Sequence, residues 1–104
     1  MLKVQNLTSE RSGSAVRNQF TMRNDGKTYF QSYDSLIAEW DGDRLTLGRD
    51  WDYSVTTMKY LWVWLRDNCY TLVRRLDQYT GSSGAARIRK AIEAGEIIYN
   101  PEMR

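Results

Sequence analysis

The chain has 104 residues, enough for one domain with a single hydrophobic core. Its composition is globular, with 41% hydrophobic, 27% charged and 12% aromatic residues. It has no histidine, which removes the commonest general base and metal ligand, and its single cysteine excludes an internal disulfide. We therefore expect one domain over residues 1–104 that folds by packing alone and needs no cofactor or metal.

The net charge of +2 is too small to imply a nucleic-acid partner by itself, but it is unevenly distributed. Residues 1–52 hold seven Lys/Arg against eight Asp/Glu, and residues 53–104 hold eight against five. No apolar run reaches the roughly 20 residues of a membrane helix, and the first residues lack the apolar core of a secretory signal. These features predict a cytoplasmic protein with no membrane partner and a basic second half.

The first half of the chain predicts an antiparallel meander of strands. In one strand Val16, Phe20 and Met22 share a face and Gln19 and Thr21 take the other, an alternation typical of a half-buried strand. The Asn-Asp-Gly that follows tolerates positive φ and predicts a hairpin turn. The predicted strands are residues 2–7, 16–22, 27–33, 35–40 and 44–47, the last after a second turn at Asp41-Gly42-Asp43.

After Gly48 the hydrophobic period becomes that of a helix. Apolar residues recur about every 100° along one stripe, which predicts a helix from near Ser54 towards Tyr79, capped by Ser54 or Thr56. Unbroken, it would be roughly 37 Å long, so a break near residues 67–68 is the alternative. The stripe consists of Met58, Leu61, Trp62, Leu65, Cys69, Leu72, Val73, Leu76 and Tyr79, and its position predicts that Cys69 is a buried structural thiol.

A shorter helix is predicted over residues 85–94, after a Gly-Ser-Ser-Gly turn in which Ser82 or Ser83 caps its start. Gly95 ends this helix, and residues 96–99 suit a closing strand. The predicted fold class is therefore α+β. A small antiparallel sheet, mainly from residues 2–48, packs against a long helix and a shorter C-terminal helix from residues 54–94.

The side of the long helix opposite its apolar stripe is the first candidate site. It carries more aromatic surface than a solvated face requires, and exposed apolar patches are typical of interaction sites. Tyr, Trp and Arg also dominate binding hot spots. We predict a partner-binding or self-association surface here, homodimerisation included, made of Tyr60, Trp64, Tyr70, Arg74 and Arg75. The alternative is that residues 85–94 or the N-terminal segment cover these side chains.

The second candidate site is the basic surface around residues 81–84, where a helix N-terminus offers free N–H groups to an anion. Its cations predict contact with a nucleic-acid backbone. They are Arg74, Arg75, Arg87, Arg89 and Lys90. The alternative is an ordinary solvated helix face.

A third cluster is acidic and consists of Glu39, Asp41, Asp43, Asp50 and Asp52. Its ligand number is too low for a calcium loop of the EF-hand type. We interpret these carboxylates as turn-forming residues. An enzyme would require a deep pocket lined by Asp41, Asp50 or Asp52.

The middle of the chain resembles a family of small proteins found in bacteriophages and mobile elements of low-GC Gram-positive bacteria. The resemblance rests on Asn18-Gln19-Phe20, on FQSYDSLIA at residues 30–38 and on WDYSVTTMKY at residues 51–60. That family has no assigned activity, so the resemblance implies context rather than chemistry: a short phage-type protein in a bacterial host cytoplasm. Small proteins of this origin commonly bind and block a host component such as a CRISPR effector.

The resembling stretch itself is interpreted as a junction between sheet and helix. Trp51 and Tyr53 are predicted to wedge the loop before the helix, and Gln31 and Tyr33 to hydrogen-bond that loop from the sheet. The predicted capping residues are Ser54, Thr56 and Thr57.

Together these features predict a non-enzymatic, phage-encoded binding protein that inhibits or modulates a host antiviral defence protein, as anti-CRISPR proteins do. The alternative is a nucleic-acid-binding accessory protein that uses the basic C-terminal half.

Overall fold

The computed structural model describes residues 2–9, 11–81 and 83–104. Its elements confirm the α+β class and lie close to the predicted ranges. They are β1 (Lys3–Thr8), β2 (Ala15–Asn24), β3 (Lys27–Ser32), β4 (Ser35–Trp40), β5 (Leu45–Gly48), α1 (Val55–Asn68), α2 (Tyr70–Leu76), α3 (Gly84–Glu93) and β6 (Ile97–Asn100).

The strands form one sheet in chain order, β1 to β6. β1 to β5 are the predicted antiparallel meander, and the closing strand β6 pairs in parallel with β5. A parallel neighbour needs a long crossover, which the three helices supply. At the β2–β3 hairpin Asp25 and Gly26 have φ of 52° and 79°, as the Asn-Asp-Gly turn predicts.

The helices cover one face of the sheet, and the core lies between these two layers. At its centre the ring of Phe30 from β3 stacks on Trp64 from α1, with 6.1 Å between ring centroids. The indole N–H of Trp64 donates a hydrogen bond to Thr21 Oγ1 at 3.2 Å. Around this pair the core contains Ile37, Leu45, Leu47, Leu61, Leu65, Leu72, Leu76, Ile88 and Ile97.

The buried side of β2 is its polar side. Gln19 is buried and Thr21 contacts Trp64, so both face the helices. Phe20 and Met22 belong neither to the core nor to the hydrophobic residues packed against it, and they lie on the opposite face of the sheet. The alternation is therefore present, but the apolar residues of β2 are not the ones that the helices cover.

The long helix is broken at Cys69, so the predicted alternative is the right one. Cys69 has φ −128° and ψ 43°, outside the helical region, and the Asn68 side chain donates to the carbonyl of Trp64 at 2.9 Å. After the break, α2 packs against α1 and α3. Cys69 itself is buried, as predicted, and burial raises the pKa of its thiol to about 12.

Candidate binding groove

The start of α1 is fastened to the sheet by hydroxyl groups. Ser54 caps the helix, because its Oγ accepts the N–H of Thr57 at 3.1 Å. Thr57 is fully buried and shares a 2.9 Å hydrogen bond with Ser32 of β3. Ser35 Oγ donates to Asp50 Oδ2 at 2.9 Å and ties the loop before the helix to β4. These bonds support the interpretation of the stretch as a junction.

The junction departs from its prediction in three respects, the first being that Ser54 alone caps the helix, while the predicted caps Thr56 and Thr57 lie within its first turn. Trp51 is buried as expected, but Tyr53 is 69% exposed and wedges nothing. Gln31 donates to the carbonyl of Tyr33 at 2.7 Å, so these two residues stabilise their own hairpin rather than the loop. The contacts from the sheet are made by Ser32, which bonds Thr57 of α1, and by Ser35, which bonds Asp50 of the loop.

Beside the junction lies an open cleft of about 590 Å³ between the first turns of α1 and α3. We call it the N-terminal groove. Met58 and Trp62 of α1 and Ala85 of α3 give it apolar walls, and Val55 stands 88% exposed at its rim. The lining residues are Asp52, Tyr53, Ser54, Val55, Met58, Lys59, Trp62, Ser83, Gly84, Ala85 and Arg89.

The charge around the groove is mainly positive. Two helix N-termini meet there, capped by Ser54 and Ser83, and neither helix has an acidic residue in its first turn to offset the dipole. Lys59 lies exposed on one wall. Asp52 is the acidic lining residue, and Arg89 pairs with it at 2.8 Å. The groove therefore suits a ligand that combines apolar and anionic groups.

Close packing of α3 against Trp62 fixes one wall of the groove. A Cβ on Gly84 would overlap Trp62 Nε1 and lie 2.9 Å from Cε2, so only glycine fits here without a shift. The Arg87 guanidinium lies 5.2 Å from the Trp62 ring centroid, and that of Arg89 lies 5.5 Å from Trp51. The helix is thus held by aromatic contacts at its first turns.

The predicted partner-binding face of the long helix does not exist as one surface. Placing Trp64 on it was wrong, because Trp64 is fully buried against β2 and β3; these strands, rather than the predicted alternatives, cover it. Tyr60 is partly buried against the core, whereas Tyr70 is 62% exposed. Trp64 packs against β2 and β3, whereas Trp62 of the predicted stripe packs against α3, so α1 is covered on more sides than its helical period reveals.

Of the two arginines predicted on that face, Arg74 is exposed and Arg75 is paired. Arg75 Nε donates to Glu96 at 2.7 Å, and the Tyr79 hydroxyl donates to the other oxygen of Glu96 at 2.7 Å. These contacts hold the pKa of Glu96 below its ordinary value, chiefly through the Tyr79 hydrogen bond, and raise the pKa of Tyr79. Arg75 therefore joins α2 to the segment before β6.

The predicted basic surface is also largely engaged within the chain. Arg87 pairs with Asp77 at 2.8 Å, and Arg89 with Asp52. Lys90 hydrogen-bonds both the carbonyl and the hydroxyl of Thr80. These contacts close the turn before α3 and leave Arg74 as an exposed cation of the predicted set.

The acidic cluster separates into turn and pairing roles. Asp41 Oδ1 accepts the N–H groups of Asp43 and Arg44 at 2.8 and 2.7 Å, which lowers the pKa of Asp41. Asp50 bonds Ser35 and Asp52 pairs with Arg89. Within residues 2–9, 11–81 and 83–104, no three Cys, Asp or Glu side chains are placed to hold a metal ion.

Sequence reasoning missed the groove although it identified the two capping positions. Met58 and Trp62 were predicted to belong to the core stripe; both are partly buried against the core, and both also line the groove. One usable signal was present. Tyr53 and Val55, both apolar, flank the cap Ser54, where a solvated helix start would carry polar residues.

The model of a family of unknown function, DUF8033, matches residues 2–90. No curated protein and no solved structure matches the chain. In the part of the chain that the structure describes, no helix is long and apolar enough to cross a membrane.

Proposed function

We propose that this chain, which belongs to the DUF8033 family of unknown function, is a non-enzymatic protein that binds another protein through the N-terminal groove. The observation that carries the proposal is the groove itself, an apolar-walled cleft of about 590 Å³ open to solvent. Pockets that bind small molecules have volumes of roughly 300–1,000 Å³ and apolar walls, and a cleft of this size also holds an anchor side chain of a protein partner. Tyr53 and Val55 would meet the partner first, because both are exposed at the rim.

The charge around the groove favours an acidic segment with an apolar anchor. An aromatic or aliphatic side chain of the partner would fill the space between Met58, Trp62 and Ala85. A neighbouring carboxylate would lie near Lys59 and the two helix N-termini. Both parts of this recognition are needed, since exposed ion pairs alone contribute little.

The biological role that we propose is inhibition or modulation of a host antiviral defence protein, such as a CRISPR effector, by a phage-encoded protein in the bacterial cytoplasm. The resemblance of residues 18–60 to small phage proteins supports this context. The same stretch supplies Tyr53, Ser54 and Lys59 to the groove. Absence of histidine from the sequence is consistent with action by binding alone.

The nucleic-acid alternative receives less support from the contacts. Arg75, Arg87 and Arg89 each pair with a carboxylate of the same chain, and Lys90 is bonded to Thr80. Contact with phosphates would require breaking these contacts, each of which closes a turn or joins two elements. Strong loss of nucleic-acid binding with added salt would be the signature of that alternative.

The first experiment measures phage plating on bacteria that carry an active defence system, with and without expression of the chain. We expect the wild-type chain to raise plating efficiency only where the defence is active. A Val55→Asp/Lys59→Glu variant should lose this effect, because it places acidic groups at the rim of the groove. The matched control is Tyr70→Asp/Arg74→Glu, an equivalent change on α2, which should retain it.

The second experiment measures direct binding of the purified chain to the affected defence protein by calorimetry. We expect binding by the wild type and by the α2 control, and a loss of about tenfold or more in affinity for the groove variant. Binding that survives in the groove variant but disappears in the α2 control would place the site on α2. No effect of the wild-type chain on plating across a panel of defence systems would contradict the proposed role.

A further inference from the structure

The face of the sheet opposite the helices carries two rows of side chains that cross the strands. Each row follows the residue pairing from strand to strand. The first row runs from β1 to β6 and consists of Val4, Met22, Tyr29, Glu39, Thr46 and Ile98. The second row consists of Asn6, Phe20, Gln31 and Leu36. We call these ten residues the open face.

The helices leave the open face uncovered. None of its ten residues belongs to the core or to the hydrophobic residues packed against it. Val4, Asn6 and Ile98 are exposed, and the other seven residues of the open face are partly exposed. Gln19 and Thr21, between the open-face residues of β2, face the helices instead.

The open face is unusually apolar for the solvated side of an antiparallel sheet, where polar side chains are expected. Six of its ten residues are apolar or aromatic: Val4, Phe20, Met22, Tyr29, Leu36 and Ile98. Meanwhile β2 buries Gln19, whose amide has no hydrogen-bond partner among the described residues. Burial of the unpartnered Gln19 amide is unfavourable. A partner that buried Phe20 and Met22 on the other face of β2 would add favourable apolar burial and so offset this cost.

The charges of the open face indicate which partner covers it. Glu39 is its one charged residue, and Nζ of Lys27, two residues before Tyr29 on β3, lies 3.9 Å from Oε2 of Glu39. The pair makes this surface neutral, with one charge of each sign. A two-fold interface requires a patch that is complementary to itself, and such a patch can place Glu39 of each copy opposite Lys27 of the other.

The size of the open face also suits a second copy. Six strands spaced about 4.8 Å apart span roughly 24 Å between the outermost two, and the largest extents of the molecule are 32 and 31 Å. Together with the residues that flank it on this side of the molecule, the open face can supply the roughly 800 Å² per partner that a stable interface buries. We propose that the open face is the interface of a homodimer in which two sheets stack face to face. The N-terminal groove of each copy then points away from the interface.

The test is sedimentation velocity of the purified chain over a wide range of concentration. We expect a dimer for the wild type. Met22→Glu should raise the dissociation constant about 100-fold or more, because it buries two unpaired carboxylates at the interface. Tyr70→Glu, the same change at an exposed position on α2, should leave the dissociation constant unchanged.

Charge reversal tests the pairing across the two-fold axis. Glu39→Lys and Lys27→Glu should each weaken the dimer, and the double variant Glu39→Lys/Lys27→Glu should restore it. Thr46→Lys, a change at a partly exposed position, serves as a second disrupting variant if Met22→Glu fails to fold. Circular dichroism at low concentration establishes folding of each variant.

Two outcomes would overturn the proposal. One is a wild-type chain that stays monomeric and whose melting temperature does not rise with concentration, as that of a dimer must. The other is a dimer that Met22→Glu and Thr46→Lys leave intact. A groove variant that still raises plating efficiency as the wild type does would contradict the proposed function alone, since that variant leaves the open face unchanged.

Discussion

The two halves of α1 carry similar residues in opposite environments. Val55 and Met58, in the first half, line an open groove, and Val55 is 88% exposed. Val63 and Trp64, in the second half, are buried, although the sequence placed Trp64 on an outward side. Aromatic and aliphatic residues are thus frequent in both halves of the helix. Only the position of the sheet shows which of them are buried in the core and which are open to a partner.

The largest expected effect concerns the buried half of α1. Trp64→Ala removes the ring that stacks on Phe30 and hydrogen-bonds Thr21, so the free energy of unfolding should fall by about 3–5 kcal/mol. Tyr70→Ala, at the exposed residue assigned to the same surface, should change it by less than about 0.5 kcal/mol. Chemical denaturation measures both. Equal losses of unfolding free energy in the two variants would contradict the burial of Trp64 and the exposure of Tyr70.

The next effect concerns the wall of the groove. Gly84→Ala should destabilise the fold by about 1–3 kcal/mol, because the added methyl group overlaps the Trp62 indole. This loss is opposite in sign to the gain that alanine gives in helices generally. Thermal melting is the measurement. In a double-mutant cycle, Trp62→Leu should remove most of the cost of Gly84→Ala, and additive losses would exclude the overlap as its cause.

A smaller effect is expected where α1 begins. Thr57→Val keeps the shape of the side chain but leaves the Ser32 hydroxyl without its buried partner, which should cost about 1–2 kcal/mol. The control is Thr56→Val, the exposed neighbour, which should be nearly neutral. Both are read from urea denaturation curves. A neutral Thr57→Val would mean that the buried hydroxyl pair does not anchor the helix to the sheet.

The smallest effect concerns the contact of α2 with the residue before β6. The pKa of Glu96 is lowered in the folded chain by Tyr79 and Arg75, so the carboxylate stabilises the fold above its ordinary pKa of 4.5. That stabilisation is lost as pH falls below about 4.5 through the lowered value. Glu96→Gln should therefore reduce stability near neutral pH and converge with the wild type in acid. Glu93→Gln, an exposed control on α3, should leave the stability near neutral pH unchanged.

Local chemistry explains which parts of the fold were predictable. The Asp25-Gly26 turn, the caps Ser54 and Ser83 and the buried Cys69 follow from φ preferences, capping bonds and helical period, each of which acts within a few residues. The meander and the α+β class follow from these local signals. The break of the long helix was the predicted alternative, and it depends on how much length the sheet can cover.

The candidate site was less predictable because it forms between distant segments. Ser54 and Ser83 were each predicted as one of two possible caps, but nothing local indicates that the two helix starts meet. Likewise, Arg87 and Arg89 have the composition of a basic surface, whereas their partners Asp77 and Asp52 lie 10 and 37 residues away. Pairing across such separations is decided by the packing of the helices.

The sequence by itself therefore determined the periods, turns and caps, and with them the number and kind of most elements. Only the tertiary structure decided which side of each element is covered. In β2 the alternation is identical whether Phe20 or Thr21 faces the helices. A period of two assigns the residues to two faces but does not say which face is buried. In α1 the stripe defined one buried face, and the sheet added a second by enclosing Trp64. Burial is a property of what an element packs against.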